Sequence, residues 1–223
     1  MDRVPIKAFA EKRSRLYWLL SSFYLRKPDK AFLEELKSKI SGIGGGIGGE
    51  LEEAVEMLKD TLENSKVEEL SQRLVVEFTR LFRGIKKGYG PPPPYESVYR
   101  GEGRVVGEVT LEVMKIYSEA GFGIIDEYAG PQDHIGAELK FMSFLCYREM
   151  EAWENEKVKD GKRCLEMEKK FLDEHLLQLI PEFCGRVEEE AKEEFYVGVA
   201  RLTERFVLMD AENIEIMLKG ITT

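Results

Sequence analysis

Two ionisable side chains stand one helical turn apart near the start of the stretch GPQDHIGAELKFMSFLCY, residues 130–147. His134 and Glu138 are four positions apart, so a helix would place both on one face. Such a pair can ligate a metal when further ligands join it. The chain has only two histidines and no H-E-x-x-H motif. The sequence therefore favours a helix start at which Asp133 and His134 hold the preceding loop and Glu138 pairs with a nearby donor. Metal-dependent chemistry is the weaker alternative.

The element that must position this pair is a helix. Gly130 followed by Pro131 is typical of a helix start, because proline loses no hydrogen bond at the first helical position. Asp133 would then lie in the first turn, against the positive end of the helix dipole. Apolar residues follow on nearly every side, which is typical of a central helix packed on several faces. Its main apolar stripe consists of Ile135, Leu139, Met142 and Cys146.

No other residues form a catalytic pattern. His175 lies in the apolar stretch FLDEHLLQLIPEF, residues 171–183, where a histidine is more often a packing residue. No serine has the setting of a nucleophile elbow, and no cysteine has an obvious histidine partner. The glycine-rich stretch 42–50 lacks a phosphate-binding motif and is interpreted as a connection between helices. No catalytic site is visible in these residues, and a metal site stays the weaker alternative.

Composition narrows the class of partner. The chain has 223 residues, 43% hydrophobic and 34% charged, with a net charge of −9. Such an acidic chain is a poor match for nucleic acid and a good match for a basic peptide. Three widely spaced cysteines indicate a reducing compartment. The first 20 residues do not form a signal peptide, and no apolar run reaches the ~20 residues of a membrane span. We expect a cytoplasmic protein.

Apolar periodicity predicts helices nearly throughout. The longest irregular stretch, residues 83–106, contains four successive prolines at positions 91–94. Tyr95, Val98 and Tyr99 follow these prolines and form either a lid over the core or one wall of a peptide groove. We interpret residues 1–223 as a single all-α domain, a bundle of roughly nine to eleven helices.

Three segments resemble signature segments of the TorD/DmsD/NarJ family of redox-enzyme maturation chaperones. They are LFRGIKKGYGPPPPYESVYRGEG (81–103), GPQDHIGAELKFMSFL (130–145) and FLDEHLLQLIPEF (171–183). Residues 15–36 also resemble the first two helices of that family. The resemblance covers most of the chain in the right order.

The resemblance implies a TorD-like helical fold without enzymatic activity. Members bind a molybdoenzyme subunit, often through its twin-arginine signal peptide, and delay export until the cofactor is inserted. The matching positions for peptide binding comprise an apolar pair, the aromatic-Ser-Val-Tyr loop and the D-H helix start. They are Leu81, Phe82, Tyr95, Ser97, Val98, Tyr99, Pro131, Asp133, His134 and Glu138. Some members are linked to guanine nucleotide or molybdopterin cofactor, but no residue here is assigned to either, and we expect no cofactor.

Two positions depart from the family pattern. Leu179 stands where a tryptophan is frequent, which affects only local packing. Glu96 stands where an apolar or small residue is frequent, which could change peptide preference. In the resulting hypothesis, Asp133 and Glu138 pair with the arginines of the leader, and the aromatic loop contacts its apolar run. We interpret Asp133 and His134 as functional first and structural second.

Two alternatives remain open at this stage. One is a NarJ-like assembly factor for a reductase subunit that is not exported. The other is a metal-dependent helical-bundle enzyme that uses His134 and Glu138. Neither the client nor the oligomeric state, monomer or homodimer, follows from the sequence.

Overall fold

The structure, a computed structural model, describes residues 3–40, 49–83, 90–102 and 106–221. Ten α-helices and no strand longer than an isolated bridge occur in these residues, so the all-α prediction is confirmed. The helices are α1 Arg3–Leu25, α2 Lys30–Ile40, α3 Gly49–Glu63, α4 Val67–Phe82, α5 Glu96–Tyr99, α6 Glu108–Glu119, α7 Ile135–Glu154, α8 Val158–Phe171, α9 Leu177–Glu190 and α10 Glu194–Gly220. Most of the predicted glycine connection and residues 84–89 lie outside the described part.

The chain forms two compact units, each assembled from segments that are distant in sequence. The first unit consists of Met1–Leu25, Tyr95–Leu179 and Val207–Thr223. The second consists of Arg26–Pro94 and Ile180–Phe206. The prediction of one domain over the whole chain stays a prediction.

The first unit is built on α1 and α7. The predicted stripe of α7, from Ile135 to Cys146, is fully buried. The two helices approach closely where α7 begins. A Cβ added at Gly136 would lie only 2.6 Å from Cγ of Leu25. A larger residue at position 136 would collide with the Leu25 side chain, which would have to shift. Six positions of α1 at helical spacing are also buried: Ile6, Ala10, Arg13, Tyr17, Leu20 and Tyr24.

One position of that α1 stripe is charged. The Arg13 side chain is 1% exposed and contacts three carboxylates from other helices. Tyr17, one turn further on, donates its hydroxyl to Oδ2 of Asp210 at 2.8 Å. We call this group, which joins α1, α7, α8 and α10, the Arg13 cluster. Its members are Arg13, Tyr17, Glu149, Glu168 and Asp210.

The second unit contains α2, α3 and α4 and residues 180–206. Phe82 at the end of α4 lies edge-on to Phe78 and Tyr196, with ring centroids 5.5 and 5.4 Å apart. Leu81 and Phe82 are both buried, at 1% and 4% exposure. This predicted apolar pair therefore contributes to the core of the second unit.

No helix in the described residues is both long enough and apolar enough to cross a lipid bilayer.

Candidate functional site

The loop that follows the prolines pairs with the residues that precede α7, within the first unit. Tyr95 and His134 form an isolated antiparallel bridge, and their rings meet edge to face at 5.2 Å. The backbone N–H of Glu96 donates to the carbonyl of Asp133 at 2.8 Å. The short helix α5 is therefore tied to the start of α7 by backbone and ring contacts.

Asp133 supplies the side-chain part of this connection. Its Oδ2 accepts a hydrogen bond from the backbone N–H of Ser97 at 3.0 Å, in the first turn of α5. Its Oδ1 accepts from the hydroxyl of Thr110 on α6 at 2.9 Å. Asp133 is fully buried, so both hydrogen bonds to the charged carboxylate form away from water and are strong. The Asp133 side chain thus holds α5 and α6 against the segment that precedes α7.

The start of α7 differs from the sequence-based expectation. The helix begins at Ile135, and His134 caps it by accepting the N–H of Gly136 on Nδ1 at 3.0 Å. The predicted start at Pro131 is wrong, and Asp133 lies before the helix instead of in its first turn. The physical reason is that hydrogen bonds from Ser97 and Thr110 hold Asp133 outside the helix. These long-range bonds outweigh the local preference of Pro131 for a helix start.

The residues before Asp133 form a loop held by one amide. Gln132 Oε1 accepts the N–H of Ile125 at 2.8 Å, and Nε2 donates to the carbonyls of Asp126 and Gly130 at 3.0 and 2.9 Å. Gly130 has φ of 74°, a value that favours glycine. The loop that precedes the D-H pair is therefore built by its own hydrogen bonds.

A second group of ionisable residues lies beneath α5. Glu96 is fully buried, and its Oε2 lies 2.9 Å from Nδ1 of His175. Its Oε1 accepts from Nη1 of Arg100 at 3.0 Å. His175 belongs to a π-helical turn, Leu172–Leu176, of the kind often found at functional sites. We call Glu96, Asp133, Glu138 and His175 the Glu96 cluster.

Glu138 is the acid of this cluster whose pKa is raised by its surroundings. Burial, followed by the charges of Glu96 and Asp133, raises the pKa of Glu138 well above its ordinary value. As a carboxylate, neither oxygen of Glu138 would have a hydrogen-bond partner among the described residues. As a neutral acid it can donate to Glu96, and the proton removes the repulsion between the two buried groups. The cluster thus holds a carboxylic acid beside a carboxylate.

The ten sequence-predicted peptide-binding residues divide by exposure. Four of them, at the edge of α5 and in the loop before α7, are partly exposed, while six are buried. The partly exposed residues are Tyr95, Val98, Tyr99 and Pro131. The buried residues are Leu81, Phe82, Ser97, Asp133, His134 and Glu138. Leu81 and Phe82 belong to the second unit and the other eight to the first.

The two carboxyl groups that are predicted to meet peptide arginines, Asp133 and Glu138, lie in the interior. Both carboxyl groups are fully buried. Asp133 has both oxygens engaged, and Glu138 is neutral next to Glu96. The structure therefore gives Asp133 a structural role, whereas its role in peptide binding stays a prediction.

The metal alternative has no geometric support in the described residues. His134 Nδ1 is already engaged as the cap of α7. No group of three or more His, Cys, Asp or Glu side chains in the described residues has an arrangement suited to a metal ion. His134 thus acts as the cap of α7 in this arrangement.

The sequence reasoning missed Thr110, Arg100 and the pairing of Glu96 with His175. The latter two residues are 79 positions apart, so no local spacing indicates their contact. One signal was present, because Glu96 is a charged residue in a stretch where an apolar or small residue is frequent. A charge at such a position needs a buried partner, and His175 lies in an equally apolar stretch.

The comparisons with known proteins agree with this structure. The family model described as nitrate reductase delta subunit matches residues 46–185, which is more than half of the chain. The chain is 29% identical to the chaperone protein TorD of Vibrio parahaemolyticus, over 92% of this chain and 96% of that protein. It is 28% identical to the TorD of Photobacterium profundum, over 92% and 94%.

A solved structure is similar as well. It is the crystal structure of a candidate redox enzyme maturation protein from Archaeoglobus fulgidus, with a TM-score of 0.52 and 27% identity. The match covers 88% of this chain and 93% of that one. The curated relatives are named as chaperones, which confirms the prediction that this chain is not an enzyme and removes the metalloenzyme alternative. The chain belongs to the nitrate reductase delta subunit family, which includes the TorD and NarJ chaperones of redox-enzyme maturation.

Proposed function

We propose that this protein is a cytoplasmic chaperone that binds a molybdenum-containing oxidoreductase subunit through its twin-arginine signal peptide. It would hold the subunit until the cofactor is inserted and export can follow. The observation that carries this proposal is the similarity to TorD chaperones over 92% of the chain. Similarity over this length includes α5 and the start of α7, where the peptide site is predicted.

The division of the predicted residues by exposure supports a peptide site in two layers. Tyr95, Val98 and Tyr99 are partly exposed and offer aromatic and branched side chains to an apolar helix. Ser97 and Asp133 lie beneath them and fix α5 in place. A rigid base below a few accessible apolar groups is the arrangement that reduces the entropic cost of binding.

The test is titration calorimetry with the twin-arginine leader of a molybdoenzyme encoded beside this protein, and with a leader in which both arginines are lysine. We expect micromolar binding of the first leader and weaker binding of the second, since guanidinium makes paired hydrogen bonds that ammonium cannot. Val98→Ala and Tyr99→Ala should each weaken binding about three- to tenfold.

Leu111→Ala is the matched control, because Leu111 is an apolar side chain of α6 in the same unit and is 62% exposed. It should leave leader binding unchanged. Equal losses for Leu111→Ala and Val98→Ala would show that the leader contacts exposed apolar surface without selection for α5, and that result would contradict the proposed site.

A second candidate function is assembly of a reductase subunit that carries no export signal. The specific observation in its favour is the matching family model, whose description names a nitrate reductase delta subunit. The discriminating measurement uses the folded catalytic subunit without a leader. Binding of that subunit, together with no binding of any leader, would favour assembly over control of export.

A further inference from the structure

A cleft of about 460 Å³ opens beside α5 in the first unit. Three acidic side chains line it, with Glu112 and Glu119 on α6 and Glu174 in the π-helical turn. Glu119 lies 3.9 Å from the ammonium of Lys115, and Glu174 lies 3.9 Å from that of Lys170. Both lysines also line the cleft. Glu112 instead lies 3.8 Å from the guanidinium of Arg100.

His175 connects this cleft to the buried carboxylate of Glu96. Its side chain lines the cleft although only 2% of it is exposed. Its Nδ1 lies 2.9 Å from Oε2 of Glu96, and its ring stacks on Phe171 with centroids 5.1 Å apart. The stacked ring fixes Glu96 in position, so a fully buried carboxylate lies one side chain away from an open cleft.

Arg100, which also lines the cleft, donates a hydrogen bond to the other carboxylate oxygen of Glu96. One nitrogen, Nη1, serves both Glu96 at 3.0 Å and Glu112 at 3.8 Å. The Arg100 side chain is 37% exposed, whereas that of Glu96 is fully buried, so the guanidinium reaches the buried acid from the solvent side. The two-pronged geometry of the guanidinium is not used. Arg100 is therefore a cation at the edge of the cleft that contacts a buried acid through one nitrogen.

In the Glu96 cluster, the carboxylate of Glu96 contacts two residues that line the cleft, His175 and Arg100. The two oxygens of Asp133 accept from Ser97 and Thr110, and burial together with the charge of Glu96 raises the pKa of Glu138. We propose that Glu96 and Glu112 together receive an arginine side chain of the bound leader, and that Arg100 is an internal placeholder which this arginine displaces.

This inference rests on the proposed function and adds to it a named receptor for arginine. A leader arginine that enters from the cleft can span both carboxylates with two nitrogens, where Arg100 uses one. Lysine, with a single compact ammonium, gains no such advantage. Competition by Arg100 also lowers the apparent affinity by the fraction of time that it occupies the site, which suits a chaperone that must release its client.

The test compares two variants that remove the same charge. Arg100→Ala removes the placeholder, and Arg15→Ala removes an arginine that also pairs with an acid four residues away but is 78% exposed. Both make the protein more acidic by one charge, so general attraction of a basic leader changes equally. We expect Arg100→Ala to bind the twin-arginine leader about three- to tenfold more tightly than Arg15→Ala does.

Glu112→Gln should weaken binding of the same leader a few fold, while Glu151→Gln on the exposed face of α7 should not. Equal affinities for Arg100→Ala and Arg15→Ala, or weaker binding by Arg100→Ala, would overturn the placeholder role. The proposed function would stand in that case, provided that the unmodified protein binds the leader. If the unmodified protein and Arg100→Ala both fail to bind any leader, signal-peptide recognition and the placeholder fail together.

Discussion

The Arg13 cluster and the Glu96 cluster are both buried in the first unit, but they hold their charge in different ways. Arg13 is 1% exposed and contacts Glu149 at 2.7 Å and Asp210 at 2.6 Å through separate nitrogens. In the Glu96 cluster the nearest arginine, Arg100, is 37% exposed and uses one nitrogen. The first cation is enclosed by its acids, whereas the second lies at the edge of a cleft.

This difference separates a structural network from a site that can exchange a ligand. An arginine enclosed by three acids joins four helices and cannot leave without unfolding part of the unit. An arginine at a cleft can be replaced by another guanidinium from outside. Two networks with similar residues are thus suited to different tasks, and the exposure of the cation is what distinguishes them.

The largest effect should follow from removal of the enclosed cation. Arg13→Met leaves Glu149, Glu168 and Asp210 without their counter-charge in the interior. We expect the free energy of unfolding to fall by about 3–5 kcal/mol, the usual cost of breaking a buried ion pair from one side. Urea unfolding followed by circular dichroism measures this loss.

Arg15→Ala is the control for that experiment, because Arg15 lies on the exposed side of the same helix. Its pair with Glu11 is solvent-exposed, so the change in unfolding free energy should stay within about 0.5 kcal/mol. A loss for Arg13→Met no larger than that for Arg15→Ala would mean that the buried network contributes nothing to the stability of the fold.

Much of the fold could be predicted from the sequence, because helical periodicity is a local property. The apolar stripe of α7 and its role as a buried central helix are confirmed. The Arg13 cluster could not be predicted, since Arg13 and Asp210 are 197 positions apart. A signal was nevertheless present: Arg13 falls on the apolar stripe of α1, and Glu149 falls on that of α7. A charge on a buried stripe indicates a partner without naming it.

The exposure of the predicted site residues could not be derived from the sequence, for a physical reason. The motif residues were identified, but their exposure depends on tertiary contacts. Asp133 was interpreted as a group that meets a peptide, and the structure shows it bound to Ser97 and Thr110. The resemblance identified the positions, while long-range hydrogen bonds determined which of them a ligand could reach.

The next largest effect tests the interpretation of Asp133 as functional first and structural second. Asp133→Ala leaves the N–H of Ser97 and the hydroxyl of Thr110 buried without their acceptor. Each lost bond to a charged group costs about 1.5–3 kcal/mol, so we expect a loss of about 3 kcal/mol in unfolding free energy. Thermal unfolding of the variant measures it.

Asp173→Ala provides the comparison, since Asp173 pairs with Lys169 on the surface and is 45% exposed. It should change stability by less than about 1 kcal/mol. If Asp133→Ala kept full stability and lost only leader binding, the functional interpretation would be restored. That result would also mean that α5 stays in place without the Asp133 carboxylate, and the two-layer description of the site would be wrong.

The smallest expected effect concerns the protonation of Glu149 in the Arg13 cluster. Burial, offset in part by Arg13 and the indole of Trp153, raises the pKa of Glu149 from 4.5 to about 7. The folded protein therefore holds a proton that the unfolded chain releases above pH 4.5. This contribution to stability is complete below pH 4.5 and is lost as the pH rises through about 7.

Unfolding free energy should accordingly fall by about 2–3 kcal/mol between pH 5 and pH 8 through this group alone. Glu149→Gln, which cannot titrate, should flatten the curve in that interval, while Glu151→Gln on the exposed face of α7 should leave its slope unchanged. Urea unfolding at several pH values gives both curves. Equal slopes for the two variants would show that Glu149 stays ionised beside Arg13, and the Arg13 cluster would then carry more negative charge than its single arginine neutralises.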